Sequence, residues 1–137
     1  MLISTKSVTQ LADKIENGVE VFCSGLFLSA RWMVVSQFDY QGLQVIVLPD
    51  RDSAEYCASD LYSLVKEDCV FFLPDSGRNL EKSNYKSSLS VQRTSAIGKI
   101  LEYTQGEQLY IVTYPSALSE GVPAGQSNGA NRRRSGR

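Results

Sequence analysis

Hydrophobic and polar positions divide the chain into segments of helical spacing and short apolar runs. Over residues 5–17 the apolar side chains recur at i, i+3, i+4 and i+7 with charged residues between them, which predicts an amphipathic helix ended by Asn17-Gly18. The apolar run 19–23 predicts a first strand. After a glycine turn, residues 29–38 predict a second helix, and because this segment is apolar on several sides we expect it to be well buried.

Three further apolar runs have the character of strands covered on both faces of a parallel sheet, being nearly continuous and rich in β-branched or aromatic residues. They are residues 43–48, 69–73 and 109–113. Helical spacing between and after these runs predicts a helix from a cap at Asp52 or Ser53 to residue 66, another over 89–104, and a short turn or helix at 116–119. The polar stretch 76–88 has no clear period and predicts a long exposed loop.

This order of elements, a helix followed by repeated strands and helices, predicts an α/β fold with a small parallel sheet, right-handed crossovers and flanking helices. The pattern contains four strands. Because a small parallel sheet leaves an exposed edge, we expect a further strand, domain or partner chain to complete it.

Length and composition favour one folded domain over residues 1–123, since 137 residues with 42% hydrophobic content can bury a core. Residues 124–137 lose all apolar periodicity and predict a disordered basic tail. No apolar run is long enough to cross a bilayer, and the first ten residues do not resemble a secretory signal, so we expect a cytoplasmic protein without membrane contact.

Charge and residue usage narrow the function. Four of the 14 basic residues are arginines of the tail, which leaves 10 basic against 15 acidic residues, a balance of −5, for the rest of the chain. We therefore expect no strong binding of nucleic acid by the folded part. The chain has no histidine, which removes the usual general base and the commonest metal ligand. Its three cysteines lack a CxxC pair, and buried thiols are the expectation.

The turn between the first predicted strand and the second helix occupies the place of a phosphate-binding loop. A working loop needs GxxxxGK[ST], in which glycine N–H groups, a lysine and a hydroxyl hold the phosphates and magnesium. The turn keeps Ser24, Gly25, Ser29, Ala30 and Arg31, with Ser24 or Ser29 able to cap the helix, but it lacks the lysine. The apolar residues 26–28 would fill the phosphate space, so we expect a degenerate loop that serves packing, with no cofactor and no metal.

Polar residues near other element ends are weaker candidates. Asp50 and Asp75 each follow a strand at its carboxyl end, where ligands collect in open α/β sheets, and they could hold magnesium or a ribose. Helix capping and turn formation after the preceding prolines is the favoured interpretation. Arg93, Thr94 and Ser95 have no base nearby in sequence and are interpreted as a solvated face or an interdomain contact.

Several stretches together resemble the first part of the bacterial transcription-repair coupling factors (Mfd), a region similar to the opening of the excinuclease subunit UvrB. They follow a leading helix and are SGLFLSARWMVV, LQVIVLPDRDSAEYCASDL, VFFLPDSGRNLE, SVQRTSAIGKI and LYIVTYPSAL. The resemblance as a whole extends from about Val8 to Pro123. The strongest elements are Ala54 and Asp60-Leu61, Phe72-Leu73-Pro74-Asp75, Arg93, and Ser116-Ala117-Leu118. The chain departs from the family at RNLEKSNYKSS, where a Pro-rich, aromatic-acidic run is usual, and after Pro123.

The resemblance implies a degenerate P-loop NTPase-like, three-layer architecture similar to domain 1a of UvrB. It also implies a non-catalytic scaffold that packs against neighbouring domains of the same protein, with exposed apolar surface at the sheet edge or on helix faces. As a whole, a protein of this family is an ATP-dependent DNA helicase or translocase that displaces stalled RNA polymerase and recruits nucleotide excision repair through UvrA.

Two other classes of function stay open at the level of the sequence. One is a small independent α/β enzyme or nucleotide-binding protein that uses Asp50 and Asp75 in metal-assisted hydrolysis. The other is a nucleic-acid-binding fragment that acts through the arginine tail.

Overall fold

A computed structural model describes residues 5–38, 42–78, 80 and 84–121. Its centre is a parallel sheet of three strands, β1 (Leu43–Val47), β2 (Val70–Phe72) and β3 (Leu109–Thr113), in the order β1-β3-β2. The prediction of an α/β fold with a small parallel sheet is confirmed. The prediction of a disordered tail at 124–137 lies outside the described residues.

Five α-helices accompany the strands in the described ranges, and their bounds follow the sequence pattern closely. They are α1 (Thr5–Glu16), α2 (Ala30–Ser36), α3 (Arg51–Leu64), α4 (Asn84–Leu101) and α5 (Pro115–Ser119). A single 3-10 turn, Glu67–Cys69, leads into β2. None of the helices in these ranges is both long and apolar enough to span a membrane.

The sheet is covered on both faces, which explains why β3 is buried at every position. On one face the α3 side chains Ala54, Cys57 and Leu61 pack with Tyr110 and Val112. On the other face the α4 residues Ala96, Ile97 and Ile100 pack with Leu109 and Ile111. Alternate residues of β3 therefore serve two separate cores, as the period of a strand requires.

The predicted first strand at 19–23 is wrong. Gly18 (φ 72°) ends α1 in the left-handed conformation, and the Val19 N–H donates to the Lys14 carbonyl at 2.9 Å. This backbone group therefore closes the helix end and does not enter a sheet ladder. The apolar run is extended into solvent instead, with Phe22 94% exposed.

Four local predictions also need correction. The exposed loop predicted over 76–88 is shorter, because α4 already begins at Asn84. Asp50, and neither Asp52 nor Ser53, caps α3, since its carboxylate accepts the Ser53 N–H at 2.8 Å. Ser29 stands before α2 but makes no side-chain cap. Finally, α2 is not well buried, because Val34 is its one buried residue and packs with α1 in a small separate core.

Gly25 and Gly77 provide a matched test of what each turn requires. Both have positive φ, 78° and 64°, which costs an alanine about 1–2 kcal/mol. A Cβ at Gly25 would meet nothing within 4 Å, whereas one at Gly77 would lie 3.2 Å from Leu89 Cδ1 and 3.3 Å from Leu80 Cδ1. Gly77→Ala should therefore lower the free energy of unfolding in urea more than Gly25→Ala does. Equal losses would mean that crowding around Gly77 contributes nothing.

Candidate functional site

The carboxyl ends of the strands meet in a connected set of polar side chains, here called the carboxyl-edge network (Arg51, Asp75, Tyr114 and Ser116). Arg51, the first residue of α3, donates from Nη2 to Asp75 Oδ1 at 2.6 Å. Tyr114 follows β3, and its hydroxyl accepts from Arg51 Nε at 3.1 Å and from the Asp75 N–H at 2.9 Å. Ser116 donates to Asp75 Oδ2 at 3.0 Å. Loops that lie far apart in the sequence are thus joined at one carboxylate.

The surroundings of Asp75 keep it ionised. Burial alone would raise its pKa, but the Gly77 N–H at 3.0 Å, the Ser116 hydroxyl and the Arg51 guanidinium together hold the pKa below its usual value. Both carboxylate oxygens accept hydrogen bonds within the chain. The structure therefore places Asp75 in the fold as a partner of Arg51 and of the turn that follows β2.

Two aromatic rings flank the Arg51 guanidinium, whose carbon lies 5.9 Å from the Tyr114 centroid and 6.0 Å from the Tyr85 centroid. The Tyr85 hydroxyl donates to Glu55, and this bond together with burial raises the pKa of Tyr85 to about 12. Burial likewise raises the pKa of Tyr114. Both phenols stay protonated at neutral pH and act as hydrogen-bonding partners.

Arg93 of α4 closes the same edge from the opposite side of the sheet. Its Nη1 donates to the carbonyls of Pro74 at 2.8 Å and Ala117 at 3.1 Å, and its Nε lies 3.5 Å from Glu120 Oε2. Glu120 in turn accepts from the Ser76 N–H and hydroxyl. The interpretation of Arg93 as part of a solvated face is wrong, because the residue is 8% exposed, whereas Thr94 and Ser95 are indeed exposed. The signal in the sequence is spacing, because Arg93 lies four residues after Leu89 and three before Ala96, on the buried face of α4.

The Asp50 and Asp75 carboxylates bond to different partners among the described residues. Asp50 is exposed and caps α3, and the Ser53 N–H holds the pKa of Asp50 below its ordinary value. Within the described ranges no group of three or more Cys, Asp or Glu side chains is arranged to hold a metal ion. The capping and turn roles that the sequence favoured for both residues therefore agree with their geometry.

Ser24, Gly25 and Ser29 lie in the loop that leads into α2, whose first two residues are Ala30 and Arg31, and this segment lies against α3. Ser29 Oγ donates to Asp60 Oδ2 at 2.7 Å, which ties the loop to the middle of α3. Arg31 lies over the Trp32 ring at 5.3 Å from its centroid. Between loop and helix is a cleft of about 520 Å³, here called the loop–α3 cleft, lined by Leu28, Ser29, Arg31, Trp32, Leu48, Pro49, Ser53, Tyr56 and Asp60.

The expectation that apolar bulk would fill this loop is wrong. Leu28 and Phe27 are 82% and 78% exposed, and only Leu26 of the three packs, against the α1–α2 core. Phe27 and Leu28 face solvent because the strand that would have placed the loop over the sheet does not form. Phe27 and Leu28 therefore make the surface of the loop apolar without filling the space beside it.

Comparison with known proteins identifies no family for the chain, since no family model, curated protein or solved structure matches it.

Asp75→Asn should destabilise the fold and flatten its response to acid. Removing one partner of a largely buried ion pair costs about 2 kcal/mol or more. Because the pKa of Asp75 is lower in the folded than in the unfolded chain, its contribution is present at neutral pH and is lost as the pH falls below about 4. Urea unfolding from pH 7 to pH 3 should show a smaller loss for the variant than for the parent chain. Asp13→Asn, on an exposed position of α1, is the control, and a parent-like slope in Asp75→Asn would contradict the assignment.

Arg93→Met should lower the free energy of unfolding by about 3 kcal/mol, since it leaves two buried carbonyls and Glu120 without their donor. Arg93→Lys should recover only part of the loss, because one ammonium cannot reproduce the forked guanidinium. Gln92→Met, on the exposed face of the same helix, should change stability by no more than about 0.5 kcal/mol. Similar losses for the two methionine variants would contradict a role for Arg93 in holding the edge together.

Proposed function

We propose that the chain is a non-catalytic interaction domain equivalent to the N-terminal, UvrB-like domain of a transcription-repair coupling factor. The observation that carries the proposal is the meeting of three separate stretches of the resemblance. Asp75 bonds to Ser116 at 3.0 Å, and Arg93 donates to the carbonyls of Pro74 and Ala117. Residues singled out on sequence alone therefore form one physical unit, as a shared fold would require.

A non-catalytic role is consistent with the hydrogen bonds that the polar residues of the carboxyl edge make. Asp75, Arg51 and Arg93 bond to partners within the chain, and Asp50 caps a helix. The degenerate loop has no lysine for a phosphate, and its Phe27 and Leu28 side chains are exposed to solvent. No observation favours the alternative of a metal-dependent hydrolase built on Asp50 and Asp75.

Exposed apolar surface supports an interaction role. In the described part of the chain β1 is an edge strand, and its Val45 and Val47 lie on the same face of the sheet as Ile111, where they are 54% and 52% exposed. Phe22, Phe27 and Leu28 form a second exposed set. In the proposed role such surfaces pack against neighbouring domains, while ATP-driven translocation, displacement of RNA polymerase and contact with UvrA belong to other domains.

The proposal is tested by reconstitution in trans. A purified bacterial coupling factor from which the UvrB-like domain has been deleted is immobilised, and this chain is added in biolayer interferometry. We expect saturable binding that Val45→Lys weakens and that Val91→Lys, an equally apolar exposed position on α4, leaves unchanged. No binding of the parent chain would contradict the proposal.

Nucleotide binding gives an independent check. Isothermal titration with Mg-ATP should show no binding in the micromolar range, because the loop lacks the lysine and the glycine-rich backbone that hold phosphates. Micromolar affinity, or magnesium-dependent hydrolysis lost in Asp50→Ala and Asp75→Ala, would favour the enzyme alternative.

A further inference from the structure

Leu28 combines two unfavourable features that the fold itself does not need. Its φ of 49° places it in the left-handed region, where it is the one non-glycine residue of the described chain with positive φ, and its side chain is 82% exposed. A leucine gains nothing from this backbone conformation, and glycine would adopt it without strain. Strained residues with exposed apolar side chains point to a contact made outside the chain.

The cleft beside Leu28 is lined by the residue types that dominate protein-binding energetics. Trp32, Tyr56 and Arg31 all line it, and tryptophan, tyrosine and arginine are the residues most enriched at binding hot spots. Tyr56 is 76% exposed, so its ring is available to a partner. The hydrogen bond from Ser29 to Asp60 holds the end of the loop against α3, which lowers the entropy lost on binding.

Charge around the cleft selects the partner. Asp60 lines it, and Asp50 and Asp52 stand beside the lining residues Pro49 and Ser53 at the exposed start of α3. Among the described residues Arg31 is the only cation in the lining, and nearby Arg51 is already paired with Asp75. The lining itself is balanced, with Asp60 against Arg31, and the exposed Asp50 and Asp52 add an acidic excess beside it. This excess repels nucleic acid phosphates and attracts basic groups.

We propose that the loop–α3 cleft, with Leu28 as its exposed rim, binds a segment of a partner protein that carries a large apolar side chain next to arginine or lysine. The apolar side chain packs against Trp32, Tyr56 and Leu28, and the basic side chain pairs with Asp60 or with the carboxylates at the start of α3. The inference deepens the proposed interaction role and rests on it. The two fail separately, because binding to a coupling factor and selection of short peptides use different probes.

The test is selection from a phage-displayed library of random 12-residue peptides on the whole chain. We expect enriched peptides to share an aromatic or aliphatic residue beside arginine or lysine. Trp32 is the only tryptophan of the chain, so its emission should change as a synthetic copy of an enriched peptide is titrated. The affinity should fall as salt is raised from 50 mM to 500 mM, since screening weakens the charge pairing.

Variants separate binding from folding. Leu28→Gly removes the apolar side chain and relieves the strain of the positive φ. It should leave the thermal midpoint of unfolding unchanged or higher and should lower the affinity for the peptide at least tenfold. Tyr56→Ala should lower the affinity for the peptide by a similar factor, whereas Val91→Ala, at an exposed apolar position on α4, should leave it unchanged.

Three outcomes would overturn the inference. They are a selection without enriched sequences, enriched peptides without basic residues, and peptide binding that survives Leu28→Gly and Tyr56→Ala. Quenching of Trp32 by a single-stranded oligonucleotide at lower concentration than by the peptide would likewise reject it in favour of a nucleic-acid site.

Discussion

The Asp75 carboxylate joins the segments that follow the strands, and the architecture of the carboxyl edge depends on it. The carboxylate binds Arg51 at the start of α3 and Ser116 at the start of α5. The backbone N–H of Asp75 donates to the Tyr114 hydroxyl after β3. An ionised carboxylate with little contact to water is tolerated only when its oxygens are satisfied. Satisfying them requires all three loops to be in place together, so the charge specifies how the elements dock.

Arg93 imposes the complementary constraint from the other face. Its guanidinium binds carbonyls of the segments that follow β2 and begin α5. A planar, permanently charged group with several donors suits this position, since it can satisfy carbonyls from two chain segments at once. With Arg93 and Arg51 both engaged, the edge where α/β proteins usually bind ligands is occupied by the protein's own contacts.

The loop before α2 shows the opposite allocation of polar and apolar groups. Its few polar contacts, chiefly Ser29 with Asp60, fix the loop, while Phe27 and Leu28 are left in solvent. This contrast between a closed edge and an open loop supports the proposal that the molecule recognises a partner.

The sequence by itself determined the elements whose apolar pattern is long or continuous. The runs at 43–48, 69–73 and 109–113 became strands, and the amphipathic spacing of α1 and α3 became helices, because burial of a periodic face outweighs most local competitors. Only the tertiary structure decided that residues 19–23 do not form a strand. An apolar run becomes a strand only beside a partner strand, and after the left-handed Gly18 the Val19 N–H bonds to the end of α1 instead. The tertiary structure also decided which carbonyls bind Arg93 and that Leu28 is exposed, since both depend on which distant segment lies opposite. Hydrophobic period encodes which face of an element is buried, whereas the partners of a single charged or strained residue come from contacts far along the chain.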